Sequence, residues 1–205
     1  KRIYDYRMDT IKQDHKTDYP HVIHQLLEPL KIAYEIDDFM MSCVVPSITE
    51  DALKAFQIEL DCKGHLLSMC DVPELVVHLD SPLELGADLI ATTYGALKHF
   101  NQPTIVIDMG SATKITAINA QGEFASGLLL PGLKVAQNAM NAFIPHLPSI
   151  PLEFPPQLLG RDTISCMQAG LMYSTIDSIT GICSRIENEF EQNCIKVLTG
   201  GLSNV

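Results

Sequence analysis

The sequence predicts an α/β protein built from a duplicated unit, and three observations lead there. Apolar, β-branched runs alternate with segments whose apolar residues fall at helical spacing. The orders of these segments before and after residues 101–103 are similar enough to suggest one unit used twice. With 205 residues, 46% of them hydrophobic, the chain can bury one large core or two small ones.

In the first half, residues 2–8 alternate as Arg-Ile-Tyr-Asp-Tyr-Arg-Met, a strand pattern. Residues 19–32 place Val22, Ile23, Leu26, Leu27 and Leu30 on one helical face. Residues 39–45 are a short apolar run ending at Pro46, which predicts a buried strand. Ser47 with Glu50 three residues on predicts a capping box opening a helix that carries Ala52, Leu53, Phe56 and Ile58. A second strand is expected near residues 65–69. Beyond the loop at Asp80-Ser81-Pro82, residues 83–100 read as a helix whose small residues Ala87, Ala91, Gly95 and Ala96 suggest close packing.

The second half opens with three strand patterns in succession, 104–108, 114–119 and 123–130, the last two joined at Gln121-Gly122. Helical patterns follow at 133–144 and 163–191, and a last strand at 195–198 runs into Thr199-Gly200-Gly201. This half therefore reads β-β-β-α-α-β. The first reads β-α-β-α-β-α and would match it if a hairpin preceded Arg2.

Charge narrows the partners. Twenty-five acidic residues against 14 basic ones give −11, which repels nucleic-acid phosphates and anionic membranes alike. No run reaches the roughly 18 apolar residues of a spanning helix, and the N-terminus lacks a signal-peptide apolar region, so a cytoplasmic protein is expected. Cys43, Cys62, Cys70, Cys166, Cys183 and Cys194 form no C-x-x-C pair and are expected to be free, buried thiols. His21 and His24 read as a surface pair rather than a metal site.

Residues 104–113, TIVIDMGSAT, drive a buried strand into a carboxylate followed by a glycine and two hydroxyls. Ligands of α/β sheets bind beyond the carboxyl ends of strands, and glycine lets backbone amides approach an anion. The segment suits a phosphate or a cation. A strand simply ending in a turn would read the same way, so its surroundings must decide.

Those surroundings carry an ordered set of motifs. Ser42-Cys43-Val44-Val45-Pro46-Ser47 looks like S-x-V-P-S, Glu84-Leu85-Gly86-Ala87-Asp88 like E-[VL]-G-A-D-R, and Asp108 to Thr113 like D-x-G-T-A-T. Gly127 to Gly132 follows like G-x-I-x-P-G, then Gly160-Arg161-Asp162-Thr163 like G-x-[ND]-T, and Thr199-Gly200-Gly201-Leu202 like T-G-G-L. In this order, over nearly the whole chain, the sequence resembles the type III pantothenate kinases of the acetate and sugar kinase, chaperone and actin superfamily.

The resemblance implies an α/β fold of duplicated ribonuclease H-like (actin-like ATPase) domains, residues 1–102 and 103–205, each a mixed sheet flanked by helices. It implies ATP-dependent phosphorylation of pantothenate at its primary hydroxyl, the first step to coenzyme A, with ATP and Mg²⁺ and with K⁺ or NH₄⁺ as cofactors. By motif position Asp88 is the catalytic base, a role compatible with that of a helix N-terminal carboxylate. Gly86, Ala87, Leu89 and Thr163 bind substrate; Thr163 reads equally as a helix N-cap. Ser111, Gly200 and Gly201 contact ATP, and Asp108 holds the monovalent cation. A homodimer is implied, with no nucleic-acid or membrane partner.

Four departures accompany the matches. The family's D-x-G-N-T phosphate loop is not found in these residues, nor are helices beyond Gly200-Gly201-Leu202, so the sequence is expected to be a piece of a longer protein. Leu89 stands where the family has an anion-contacting arginine, and Leu79 where it has a substrate-contacting tyrosine. Two other functions therefore stay open: a non-catalytic relative with a binding or regulatory role, and a kinase of another small hydroxyl substrate.

Overall fold

The computed structural model describes residues 19–204, and they gather into two compact units. One holds residues up to Val72 together with 83–91; the other holds 73–82 and everything from Thr92 onward. The strand expected at residues 2–8 lies outside the described residues.

In the first unit, α1 (Tyr19–Ala33) packs on α2 (Pro46–Leu60), burying Ile23, Ala52 and Ala55. Glu59 ties the pair together, accepting from Lys31 Nζ at 2.8 Å and contacting His24 Nδ1 at 2.9 Å. Strands β1 (Met40–Met41) and β2 (His65–Leu66) pair in parallel, and Phe39 packs on Phe56 with ring centroids 5.6 Å apart.

The second unit is built on a mixed sheet of order β5-β4-β3-β6, from β3 (Thr104–Met109), β4 (Ala112–Ile118), β5 (Phe124–Pro131) and β6 (Ile195–Thr199). β3 is antiparallel to β4 and parallel to β6. Its position between two neighbours explains the unbroken β-branched run 104–107, since both faces of a central strand are buried. On one face Ile105, Ile107, Met109 and Ile115 pack with Leu133 of α4 (Leu133–Phe143) and Leu171, Met172, Cys183 and Ile186 of α5 (Thr163–Phe190). On the other, Val106 and Ile118 pack with Ala96 of α3 (Ala87–Leu97). Each buried isoleucine contributes about 1.5–3 kcal/mol of burial free energy. The segment 73–82 extends this sheet: Phe124 donates its N–H to Val76 and its carbonyl accepts from His78.

The order β-β-β-α-α-β read from residues 104–198 is present, and the α/β class holds as a mixed sheet with helices on both faces. Four local expectations are corrected. The Ser47 capping box is absent: α2 begins at Pro46 behind Val45, because proline's fixed φ and missing N–H suit the first helical position. Residues 39–45 yield a strand of only Met40–Met41, with Val44 and Val45 exposed, since the segment pairs with β2 alone among the described residues. The helix expected over 83–100 is a 3₁₀ turn, Pro82–Glu84, followed by α3, which starts where the Gly86 carbonyl accepts the Ile90 N–H at 3.0 Å. All six cysteines are free, but only Cys183 and Cys194 are buried, while Cys70 and Cys166 are exposed. Burial pushes the Cys183 and Cys194 thiols up, away from the reactive thiolate.

Candidate functional site

The sequence-predicted site residues fall into two groups, one in each unit. In the first unit, Gly86 and Ala87 lead into α3 and Asp88 lies in its first turn. The Asp88 carboxylate accepts the Leu89 N–H at 2.8 Å, a bond a helix N-terminus leaves open and its dipole favours. A Cβ at Gly86 would come within 3.0 Å of Asp88 Oδ1 and 3.5 Å of Val44. Gly86 thus lets the carboxylate fold over the loop, beside the Val44 of the S-x-V-P-S segment. Ala87 is buried, and Asp88 and Leu89 are half-buried.

In the second unit three backbone turns converge on the end of β3. The carbonyl of Ser111 accepts the Gly132 N–H at 3.2 Å, and that of Met109 accepts the Leu202 N–H at 2.9 Å. Gly200 has φ +93°, and a Cβ there would lie 2.5 Å from Asp108 Oδ1 and 2.6 Å from the Met109 amide nitrogen. A Cβ at Gly132 would fall on the carbonyl oxygens of Gly110 and Ser111. Glycine is required at both positions for backbone to touch backbone. The result is a cradle of turns around Asp108, with the Ser111 side chain exposed at its edge.

Asp108 itself is engaged. Its Oδ2 lies 3.1 Å from Lys114 Nζ, each side chain less than one-fifth exposed. The two residues face each other directly across β3 and β4. Lys114 was not singled out from the sequence; the pairing of residue 108 with residue 114 follows from a three-residue loop, Gly110-Ser111-Ala112, between the paired Met109 and Thr113. The K⁺ or NH₄⁺ implied at Asp108 does not fit these residues. One carboxylate oxygen holds an ammonium group and the other abuts Gly200. A second unit charge about 4 Å from the first would be repelled by about 4 kcal/mol at an effective dielectric constant of about 20, which offsets the attraction of the carboxylate.

Thr163 lies apart from the cavity beside the Asp108 cradle. It is the first residue of α5 and exposed, whereas the part of α5 lining the cavity with Met109 is Met172 to Thr180. Nine helical steps already separate Thr163 from Met172, about 14 Å. The N-cap is Asp162, not Thr163: its side chain accepts the Ser165 N–H at 2.9 Å, which holds the Asp162 carboxyl below its usual range. Gly201 is exposed beside Gly200. Among the described residues no cluster of three or more histidine, cysteine or acidic side chains could cage a metal. No helix among them is long and apolar enough to cross a membrane.

The Type III pantothenate kinase family pattern matches residues 1–185. The chain belongs to the type III pantothenate kinase family. A type III pantothenate kinase of Moorella thermoacetica is 33% identical over 83% of this chain and 67% of its own length. That of Geotalea daltonii is 29% identical over 98% of this chain and 79% of its own. A solved structure of a conserved Campylobacter jejuni protein, described as a Baf family transcriptional activator, superposes with a TM-score of 0.51 at 20% identity. It covers 86% of this chain and 80% of that one, a likeness of fold. Membership makes the chain a kinase by family.

Proposed function

We propose that this chain transfers the γ-phosphoryl group of ATP to the primary hydroxyl of pantothenate, the first step of coenzyme A biosynthesis. The observation that carries the reading is the family match over residues 1–185, which takes in the Asp88 turn and the Asp108 to Gly132 part of the cradle, though not the Gly200 turn. Phosphoryl transfer asks a protein for orientation and charge neutralisation more than for covalent chemistry, and these two features suit that demand.

In this reading Asp88 accepts the proton as the substrate oxygen bonds to the γ-phosphorus, the bond to the bridging oxygen breaks and ADP leaves. Gly86 and Ala87 allow the substrate to lie close, and Leu89 borders it. Ser111 donates its hydroxyl to an ATP phosphate, with Gly200 and Gly201 forming the nucleotide-facing turn. Mg²⁺ neutralises phosphate charge when bound; with no three-ligand acidic cluster among the described residues, phosphates and water would supply most of its ligands. Thr163, exposed at the start of α5, reaches pantothenate from a partner subunit of a homodimer. The halves 1–102 and 103–205 are repeats of one actin-like unit; the strand order of the second supports this. The net charge of −11 supports an enzyme without nucleic-acid or membrane partners.

Leu89 favours a second reading, because a leucine cannot pair with the pantothenate carboxylate. Loss of one charge-assisted bond costs about 1.5–3 kcal/mol, enough to shift preference toward another hydroxyl substrate or a binding role. The deciding experiment is ATP-dependent phosphorylation of pantothenate by the folded full-length protein, followed by formation of 4′-phosphopantothenate. Product establishes the kinase; its absence, with uncharged hydroxyl substrates phosphorylated instead, moves the assignment to them.

A further inference from the structure

We propose that Lys114 is a tethered replacement for the monovalent cation, so that this chain transfers phosphate without potassium or ammonium. The inference rests on the kinase reading above. Its basis is the ion pair at the end of β3, where Lys114 Nζ lies 3.1 Å from Asp108 Oδ2 and both side chains are largely withdrawn from water. A lysine side chain ends in an alkyl ammonium, with the charge and N–H donors of the ammonium ion that can stand in for potassium.

Direct cross-strand pairing of residues 108 and 114 holds that group in place, and both strands are buried in the sheet on either side of the pair. The group is therefore preorganised, as a diffusible cation is not. It neutralises Asp108, which would otherwise repel an incoming phosphate at the cradle of Gly110, Ser111 and Gly200. Placed beside that cradle, the same charge favours the phosphates of a bound nucleotide. The lysine resembles a P-loop lysine in acting as a fixed point charge on phosphate.

The test compares the full-length protein with Lys114→Thr and Lys114→Gln at equal ionic strength in potassium, ammonium, sodium or tetramethylammonium chloride. The expected result is a wild-type rate indifferent to the cation. The variants are expected to lose about a hundredfold in tetramethylammonium and to regain most of it in potassium or ammonium. A wild-type rate that rises about tenfold or more with potassium overturns the proposal, and does so even if neither variant folds. Thallous-ion binding followed by thallium NMR gives a readout independent of turnover. Binding by a folded variant but not by wild type supports the tethered charge; binding by wild type, or by neither, overturns it. If the wild type phosphorylates nothing in any salt, the kinase reading fails, and the thallium comparison alone decides the role of Lys114.

Discussion

Gly200 leaves no room for a side chain beside Asp108: a Cβ at Gly200 would stand 2.5 Å from Asp108 Oδ1, on a backbone whose φ is +93°. The turn after β6 is thereby packed against the end of β3. Gly200→Ala is expected to lower stability by about 1–2 kcal/mol from the backbone conformation alone, with the overlap adding to it. In the proposed nucleotide-facing role of this turn, nucleotide affinity is expected to fall with it. Gly170, inside α5 with open space around its Cβ position, is the control: Gly170→Ala is expected to stabilise by about 1 kcal/mol. Urea unfolding of both variants checks the opposite signs; equal effects would show that the Gly200 turn yields without cost.

Asp88 bonds to the N–H of its own neighbour, Leu89, and asparagine can accept the same bond. Asp88→Asn is therefore expected to keep folding stability within about 0.5 kcal/mol while kcat falls about 10²- to 10⁴-fold. Thermal unfolding alongside steady-state kinetics separates the two effects. Parallel loss of folding and activity would make Asp88 a structural carboxylate only.

Leu89 is half-buried next to Asp88. If it borders a substrate carboxylate, Leu89→Arg gains a charge-assisted bond and lowers the KM for pantothenate about tenfold or more, with little change for an uncharged hydroxyl substrate. Paired KM measurements check this. Equal KM values for both substrates before and after substitution place Leu89 away from the carboxylate.

Glu187 joins α5 to β6, accepting the Cys194 N–H at 2.9 Å and pairing with Lys196. The Cys194 amide first, and then Lys196, hold its carboxyl below the usual carboxylate range. A depressed folded-state pKa contributes stability above the unfolded value, about 4.3, and loses it as pH falls through the folded value. The thermal midpoint is expected to drop as pH is lowered from about 5, and Glu187→Gln should flatten that drop. Superimposable pH profiles for wild type and variant would remove Glu187 from the acid response.

Much of this was legible in the residues themselves. The runs at 104–108 and 163–191 announce a buried strand and a long helix, because burial on both faces and 3.6-residue periodicity write themselves directly into residue order. The motif order from Ser42 to Leu202 placed the chain in its family, and Asp-x-Gly-Ser marked the carboxylate at a strand end. Local rules failed where a neighbouring residue overrode them: Pro46 started α2 before Ser47 could cap it, and Gly86 delayed α3 to Ala87.

The sequence by itself determined the elements from residue 104 onward, the α/β class and the family, and it singled out Asp88, Asp108, Ser111 and Thr163 as candidates. Tertiary structure decided what those residues touch. That Lys114 meets Asp108, that Gly200 and Gly132 press backbone onto the same turn, and that Cys70 and Cys166 stay exposed depend on strand register and on packing between segments distant in the chain. Such contacts form only when the sheet closes, because a side chain's partner is set by register and side-chain period across strands, not by its sequence neighbours.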